Sequence, residues 1–198
     1  MKRAIFKTKS LRNLETGENI LLPYQKVQLL QSNGLAIVKD ANGLYGLLNR
    51  NDQEIVPPKY LDICSFQPNG LAIVTDENEL SGIINEEGKE IVPPKYVWIY
   101  GFDNSLAKVE DQNGIFGIIN EEGKEIVSPK YQQIDDFQPN GLAKVEGENE
   151  FYGLINEKGE EVVEPKYSEV YFQEIKPNEV IVVKKSKGIY QIIKKDEE

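Results

Sequence analysis

Short apolar runs bounded by polar turns succeed one another along this chain, and nowhere do the apolar positions hold a sustained period near 3.6 residues. Leu71-Ala72-Ile73-Val74 is one such run, and its β-branched end suits a pleated strand. Asp76 to Glu79 makes a polar turn, and the equivalent Asn42-Gly43 and Asn113-Gly114 are dipeptides that favour tight hairpins. Ser81-Gly82-Ile83-Ile84 is the second strand. Asn85-Glu86-Glu87-Gly88-Lys89 turns the chain again, with Gly88 where a left-handed residue is needed. Glu90-Ile91-Val92 opens a third strand, which Pro93-Pro94 stops or bends because proline donates no ladder hydrogen bond. Lys95 to Phe102 is a last extended piece, closed by Asp103-Asn104. Helix is therefore expected to be scarce, and the unit reads as a β-meander of three strands with a place for a fourth short one.

That unit recurs. Pro-Lys-Tyr stands at residues 58–60, 94–96, 129–131 and 165–167, at intervals of 36, 35 and 36 residues. Ile83 to Val92 (IINEEGKEIV) returns letter for letter as Ile118 to Val127. A fixed period of this length marks a repeat architecture, in which each meander needs its neighbours to cover its apolar faces. One domain over residues 1–198 is expected: a half-unit at 1–33, repeats at 34–69, 70–104, 105–140 and 141–178, a second half-unit at 179–193, and a frayed charged tail at 194–198. Leu22-Pro23-Tyr24 lies 36 residues before Tyr60, which places the first half-unit in phase. Val180 to Val183 and Ile189 to Ile193 reproduce only the opening of a repeat. The fold class is all-β, stacked as an open twisted, solenoid-like array; a closed five-bladed β-propeller is the alternative.

The repeated residues carry a resemblance. Gly34-Leu35-Ala36-Ile37-Val38, Gly70-Leu71-Ala72-Ile73-Val74 and Gly141-Leu142-Ala143-Lys144-Val145 open the units, and Leu47-Leu48-Asn49, Ile83-Ile84-Asn85, Ile118-Ile119-Asn120 and Leu154-Ile155-Asn156 fill their middles. In these motifs the chain resembles the WG-repeat family of bacterial proteins over nearly its whole length. It departs at the signature tryptophan, where Tyr45, Ser81, Phe116, Tyr152 and Tyr190 stand instead. The glycine that follows is kept as Gly46, Gly82, Gly117 and Gly153, and is Gln191 in the last copy. The resemblance implies an interaction or scaffold module and no catalytic residue.

Composition narrows the picture further. Hydrophobic residues at 39% and charged ones at 28% suffice for a packed core. No run approaches a membrane span, and Met1 to Lys7 lacks the apolar stretch of a secretory signal. Cys64 is the single cysteine, so a cytoplasmic setting is the default. A net charge of −10 disfavours nucleic acid and anionic membranes as partners and suits another protein, above all a basic one. The chain has no histidine, which removes histidine triads, histidine metal sites and the commonest general base. No cofactor motif or phosphate-binding loop is present. A paired-carboxylate glycosidase is formally open, but the carboxylates fall in solvated turns, one set per repeat. The acidic turns at 85–88 and 120–123 lack the alternating oxygens of a calcium loop, and a glycine-bearing hairpin explains them better.

In a repeat protein the residues that break phase are the informative ones. The in-phase Tyr24, Tyr60, Tyr96, Tyr131 and Tyr167 read as packing between units, with hydroxyls satisfied near the surface. Cys64, where other copies hold Tyr100, Asp135 and Tyr171, reads as an incidental thiol. Where Asp62, Gln133 and Glu169 stand in other copies, the second has Trp98, the only tryptophan. Trp98 and Tyr100 share a strand face that polar residues occupy elsewhere, so they are the candidate partner-binding residues, with Tyr171 as an extension. The competing reading makes Trp98 a filler for the gap at Ser81. The expected function is a non-enzymatic protein-interaction or scaffold module; the alternative is an acidic immunity or inhibitor protein that neutralises a basic toxin or effector.

Overall fold

The computed structural model describes the backbone of residues 10–12, 19–21, 24, 26–27, 33–51, 53–176, 179–185 and 189–193, and side chains at 24, 33–51, 53–148 and 150–170. The tail at 194–198 and much of the first half-unit lie outside the described residues. The chain divides into two units, Met1–Ile99 and Tyr100–Glu198.

In the first unit β1 (Ser10–Arg12) pairs antiparallel with β2 (Asn19–Leu21). Two four-stranded antiparallel meanders follow. One runs β3 (Lys26–Val27), β4 (Ala36–Lys39), β5 (Tyr45–Leu48), β6 (Glu54–Tyr60); the other runs β7 (Asp62–Ile63), β8 (Leu71–Thr75), β9 (Ser81–Asn85), β10 (Glu90–Tyr96). The short β11 (Trp98–Ile99) ends this unit. In the second unit β12 (Leu106–Glu110), β13 (Phe116–Asn120) and β14 (Glu125–Tyr131) lie side by side. Next come β15 (Gln133–Ile134), β16 (Leu142–Glu146), β17 (Tyr152–Asn156) and β18 (Glu161–Tyr167), then the three-stranded β19 (Glu169–Lys176), β20 (Glu179–Lys185) and β21 (Ile189–Ile193). A single 3-10 turn, Glu148–Glu150, is the only helical piece among the described residues, and none is long and apolar enough to cross a membrane. The chain is all-β, as its pattern predicts.

Two local features become definite. Of the two outcomes open to the proline pair, it bends the third strand and does not stop it. Val92 pairs with Ile83 and Tyr96 with Ser81, so β10 advances four residues while β9 advances two. Pro93, Pro94 and Lys95 bulge out of the ladder, where a missing N–H costs nothing. The bulge explains the repeated glycine. A Cβ on Gly82 would lie 2.6 Å from the Val92 carbonyl oxygen and 2.8 Å from the Pro94 nitrogen; on Gly153 it would lie 2.4 Å from the Val163 oxygen. Only hydrogen fits under the crossing strand.

The short strand also sits elsewhere than its place in the repeat suggests. Asp62 and Ile63, read as the close of repeat 34–69, pair with Thr75 and Val74 of the following meander. The chain bends at Leu61, whose N–H donates to the Thr75 carbonyl at 2.8 Å, and this carries it onto the next sheet. Within their units, β7 and the later strand Gln133–Ile134 thus each open a sheet with residues from the end of the preceding sequence repeat, and the backbone itself staples those neighbours together.

The turns hold themselves. Asp76 Oδ1 accepts the N–H groups of Asn78 and Leu80, and Asp40 and Asp111 do the same in their copies. In the acidic turns Asn85 Oδ1 accepts from Glu87 and Lys89. Gly88 has φ +76°, and a Cβ there would stand 2.5 Å from a methyl of Val56 in the preceding sheet. That glycine serves both the left-handed turn and the approach of the two sheets.

Packing between successive sheets makes the core. Ile37, Leu47, Val56 and Tyr60 of one sheet bury against Ile63, Ala72, Val74 and Ile84 of the next. Ile118, Val127 and Tyr131 meet Ile134, Ala143, Val145 and Ile155 in the same way in the second unit. Each aliphatic side chain so buried contributes about 1.5–3 kcal/mol from removal of apolar surface.

Candidate functional site

The tyrosine of each Pro-Lys-Tyr triplet is the structural joint. Tyr60 ends β6, is 2% exposed, and donates its hydroxyl to Glu90 Oε1 of β10 at 2.8 Å. Lys59 reaches the same oxygen at 2.7 Å, and its ammonium lies 4.8 Å from the Tyr60 ring centre. The second unit repeats this: Tyr131 and Lys130 both bond Glu161 Oε1 at 2.7 Å. Tyr24 likewise donates to Glu54 at 2.6 Å. Lys59 and then the Tyr60 hydroxyl hold the Glu90 carboxyl below the usual carboxylate range, and Lys130 and Tyr131 do so for Glu161. Burial and the carboxylate together push the Tyr60 phenol up to about 12 and raise Tyr131 also. The packing role expected for these tyrosines is what the structure shows. Their glutamate partners were missed in the sequence, although Glu54, Glu90, Glu125 and Glu161 recur in the tyrosines' own spacing.

The candidate binding residues fall outside these joints. Trp98 on β11 is 57% exposed, the most exposed large apolar side chain described. Ile99 beside it points inward and is 3% exposed, as strand alternation requires. Asp62 and Gln133, at the position of Trp98, are also exposed. Ser81 is buried in its own right, and its hydroxyl donates to the Val97 carbonyl at 3.4 Å. Val97 and Leu61, equivalent in their copies, are each 41% exposed.

Tyr100 opens the second unit and is 37% exposed. Its ring meets Phe116, the signature-position aromatic, at 6.3 Å with an interplanar angle of 43°. Lys108 joins them, with its ammonium 4.7 Å from the Tyr100 centroid, 5.6 Å from that of Phe116, and 2.9 Å from the Ile134 carbonyl oxygen. Lys108 was not singled out in the sequence. Its signal is a phase break, since Ile37 and Ile73 fill that position in the first two copies. Lys144, the next copy's equivalent, pairs with Asp135 at 3.3 Å and lies over Tyr152. Tyr171 is backbone-paired to Val182 within β19, and its side chain lies outside the described residues. Cys64 is an exposed residue whose thiol is partly desolvated by its surroundings, and this, then the Asp62 carboxylate, holds its pKa above the usual thiol value.

Comparison with known proteins places these features in a family. Residues 45–79, 82–114, 116–149 and 152–185 each match the model described as "WG containing repeat". Among solved structures, Kluyveromyces lactis Hsv2p aligns with a TM-score of 0.38 and 12% identity over 96% of this chain and 70% of that one. BBS1N, solved in complex with ARL6DN, aligns at 0.34 and 14% over 96% and 73%. HIRA(644-1017) aligns at 0.37 and 10% over 71% and 53%. With TM-scores below 0.5, these likenesses add nothing to the reading of the site. No curated protein sequence matches the chain. The four matched stretches cover more than half of the chain, and each starts at or beside its signature position, so this chain belongs to the WG-containing-repeat family.

Proposed function

We propose that this WG-repeat protein is a non-enzymatic interaction module that contacts a protein partner through Trp98. The carrying observation is the 57% exposure of its single tryptophan at a position where two other copies expose Asp62 and Gln133. Packing does not demand an aromatic there, and an exposed tryptophan offers large contact area at low side-chain entropy cost. The chemistry of the rest supports the same reading. The chain has no histidine, its turn aspartates accept their own backbone N–H groups, and Glu90 and Glu161 are committed to Lys-Tyr joints.

Affinity capture with the wild-type chain and with Trp98→Ala tests this. A partner retained by the wild type and lost by the variant, with both proteins melting alike, is the expected result. A partner held equally by the variant would overturn the assignment of Trp98. The −10 charge favours one particular form of the module, an inhibitor of a basic protein. That form requires a tight complex whose affinity falls steeply with salt.

A further inference from the structure

We propose that the cleft beside Tyr100 receives an arginine side chain from a basic protein partner. This rests on the interaction-module reading and names the chemistry of that partner. The cleft forms where one copy combines three features found together in no other. Tyr100 stands where other copies have Cys64, Asp135 and Tyr171, and Lys108 where they have Ile37, Ile73 and Lys144. The loop Asp103-Asn104-Ser105 is one residue shorter than Gln67-Pro68-Asn69-Gly70 or Gln138-Pro139-Asn140-Gly141. It closes as a two-residue turn, in which Asp103 and Leu106 each donate an N–H to the other's carbonyl at 2.9 Å. Asn104 and Ser105 hold φ of 47° and 64°, a left-handed pair without glycine. Packing does not call for this combination, because the neighbouring copies fold without it.

Size and charge select the occupant. The cleft holds about 100 Å³, against roughly 300–1,000 Å³ for clefts that enclose a small-molecule ligand. It has room for one extended side chain. Tyr100, Leu106, Ile134 and Phe137 line it with apolar surface, and Asp103 and Asp136 line it with carboxylates. Asp135 is paired with Lys144, and Lys108, held by the Ile134 carbonyl and two rings, keeps its positive charge. Among the described residues Asp103 and Asp136 have no cationic partner, so the two carboxylates outweigh the one ammonium and the cleft is net negative. Arginine matches this lining: its stem is apolar, its guanidinium stacks on aromatic surface, and its planar fork bonds carboxylates. Lysine, a compact and strongly hydrated point charge, makes poorer use of the rings.

The test is NMR titration of the full chain with the capped tripeptide Ac-Gly-Arg-Gly-NH2, and with its lysine and citrulline analogues. Saturable shifts are expected at residues 100–108 and 134–137 with the arginine peptide, weaker ones with lysine, and none with neutral citrulline. Asp103→Asn and Asp136→Asn should each weaken binding by up to roughly fivefold, as an exposed ion pair allows, with the melting temperature unmoved. An equal response to citrulline, or to lysine, overturns the arginine assignment. So does an arginine response that neither asparagine variant weakens. If captured partners depend on Trp98 but the arginine peptide does not bind, only the cleft assignment fails. If the peptide binds but no partner depends on Trp98, the interaction reading at that residue fails alone.

Discussion

Two kinds of tyrosine stand on this scaffold and behave in opposite ways. Tyr60 and Tyr131 keep the repeat phase, are each 2% exposed, and donate to Glu90 and Glu161 at 2.8 and 2.7 Å. Tyr100 breaks the phase, is 37% exposed, and lies under a lysine ammonium beside Phe116. The same side chain holds sheets together in one setting and presents itself outward in the other. What separates them is whether the residue's partner recurs with it. A joint needs both halves in every copy; a contact surface needs novelty in one.

Breaking a joint should therefore cost far more than changing the exposed face. Tyr131→Ala removes a buried ring and leaves Glu161 without its phenol, and about 4 kcal/mol of stability should be lost in urea unfolding. Gly153→Ala should follow closely, at about 3 kcal/mol, because the new methyl meets the Val163 carbonyl 2.4 Å away and the backbone must shift. Tyr131→Phe keeps the packing and loses only the hydroxyl bond to a partly exposed carboxylate, so about 1 kcal/mol is expected. Trp98→Ala should fall within about 0.5 kcal/mol of wild type, as exposed positions do. A loss for Trp98→Ala as large as that for Tyr131→Ala would erase the distinction and make Trp98 a filler for Ser81.

Acidity and alkali sharpen the same comparison. Lys130 and Tyr131 stabilise the charged form of Glu161, so the folded carboxyl has a pKa below the ordinary 4.5. The stability it contributes is whole above pH 4.5 and fades as the pH falls through the folded value. The phenol of Tyr60, raised from 10.0 to about 12, acts in the other direction. Its contribution is whole below pH 10 and is lost as the pH rises toward 12. Thermal melts across both ranges should fall at each end, and Glu161→Gln should flatten the acid limb.

Short-range rules were enough for much of this protein. The alternation of apolar and polar residues, the turn dipeptides and the 35- and 36-residue spacing specify an all-β repeat, because strand and turn preferences act over a few residues and identical segments fold alike. The left-handed place of Gly88 followed from its turn. The exposed setting of Trp98 was legible from its polar counterparts, since a position that tolerates Asp62 and Gln133 is not core.

Tertiary structure decided the rest, where one residue answers another on a different strand. The repeated glycine reads only as a kept position within the second strand, yet Gly82 is required by the bulged Val92-Pro93-Pro94 segment that crosses it. The short strands belong to the following sheets because the bend at Leu61 turns its N–H toward Thr75. Tyr60 reads as a packing residue with a satisfied hydroxyl, and only the fold names Glu90, shared with Lys59, as the partner. Lys108 gives no local sign of its setting, and the fold alone sets it between two rings and a carbonyl. Local sequence determines which residues can form a strand or a turn; only the packed sheets determine which donors, acceptors and rings then face one another.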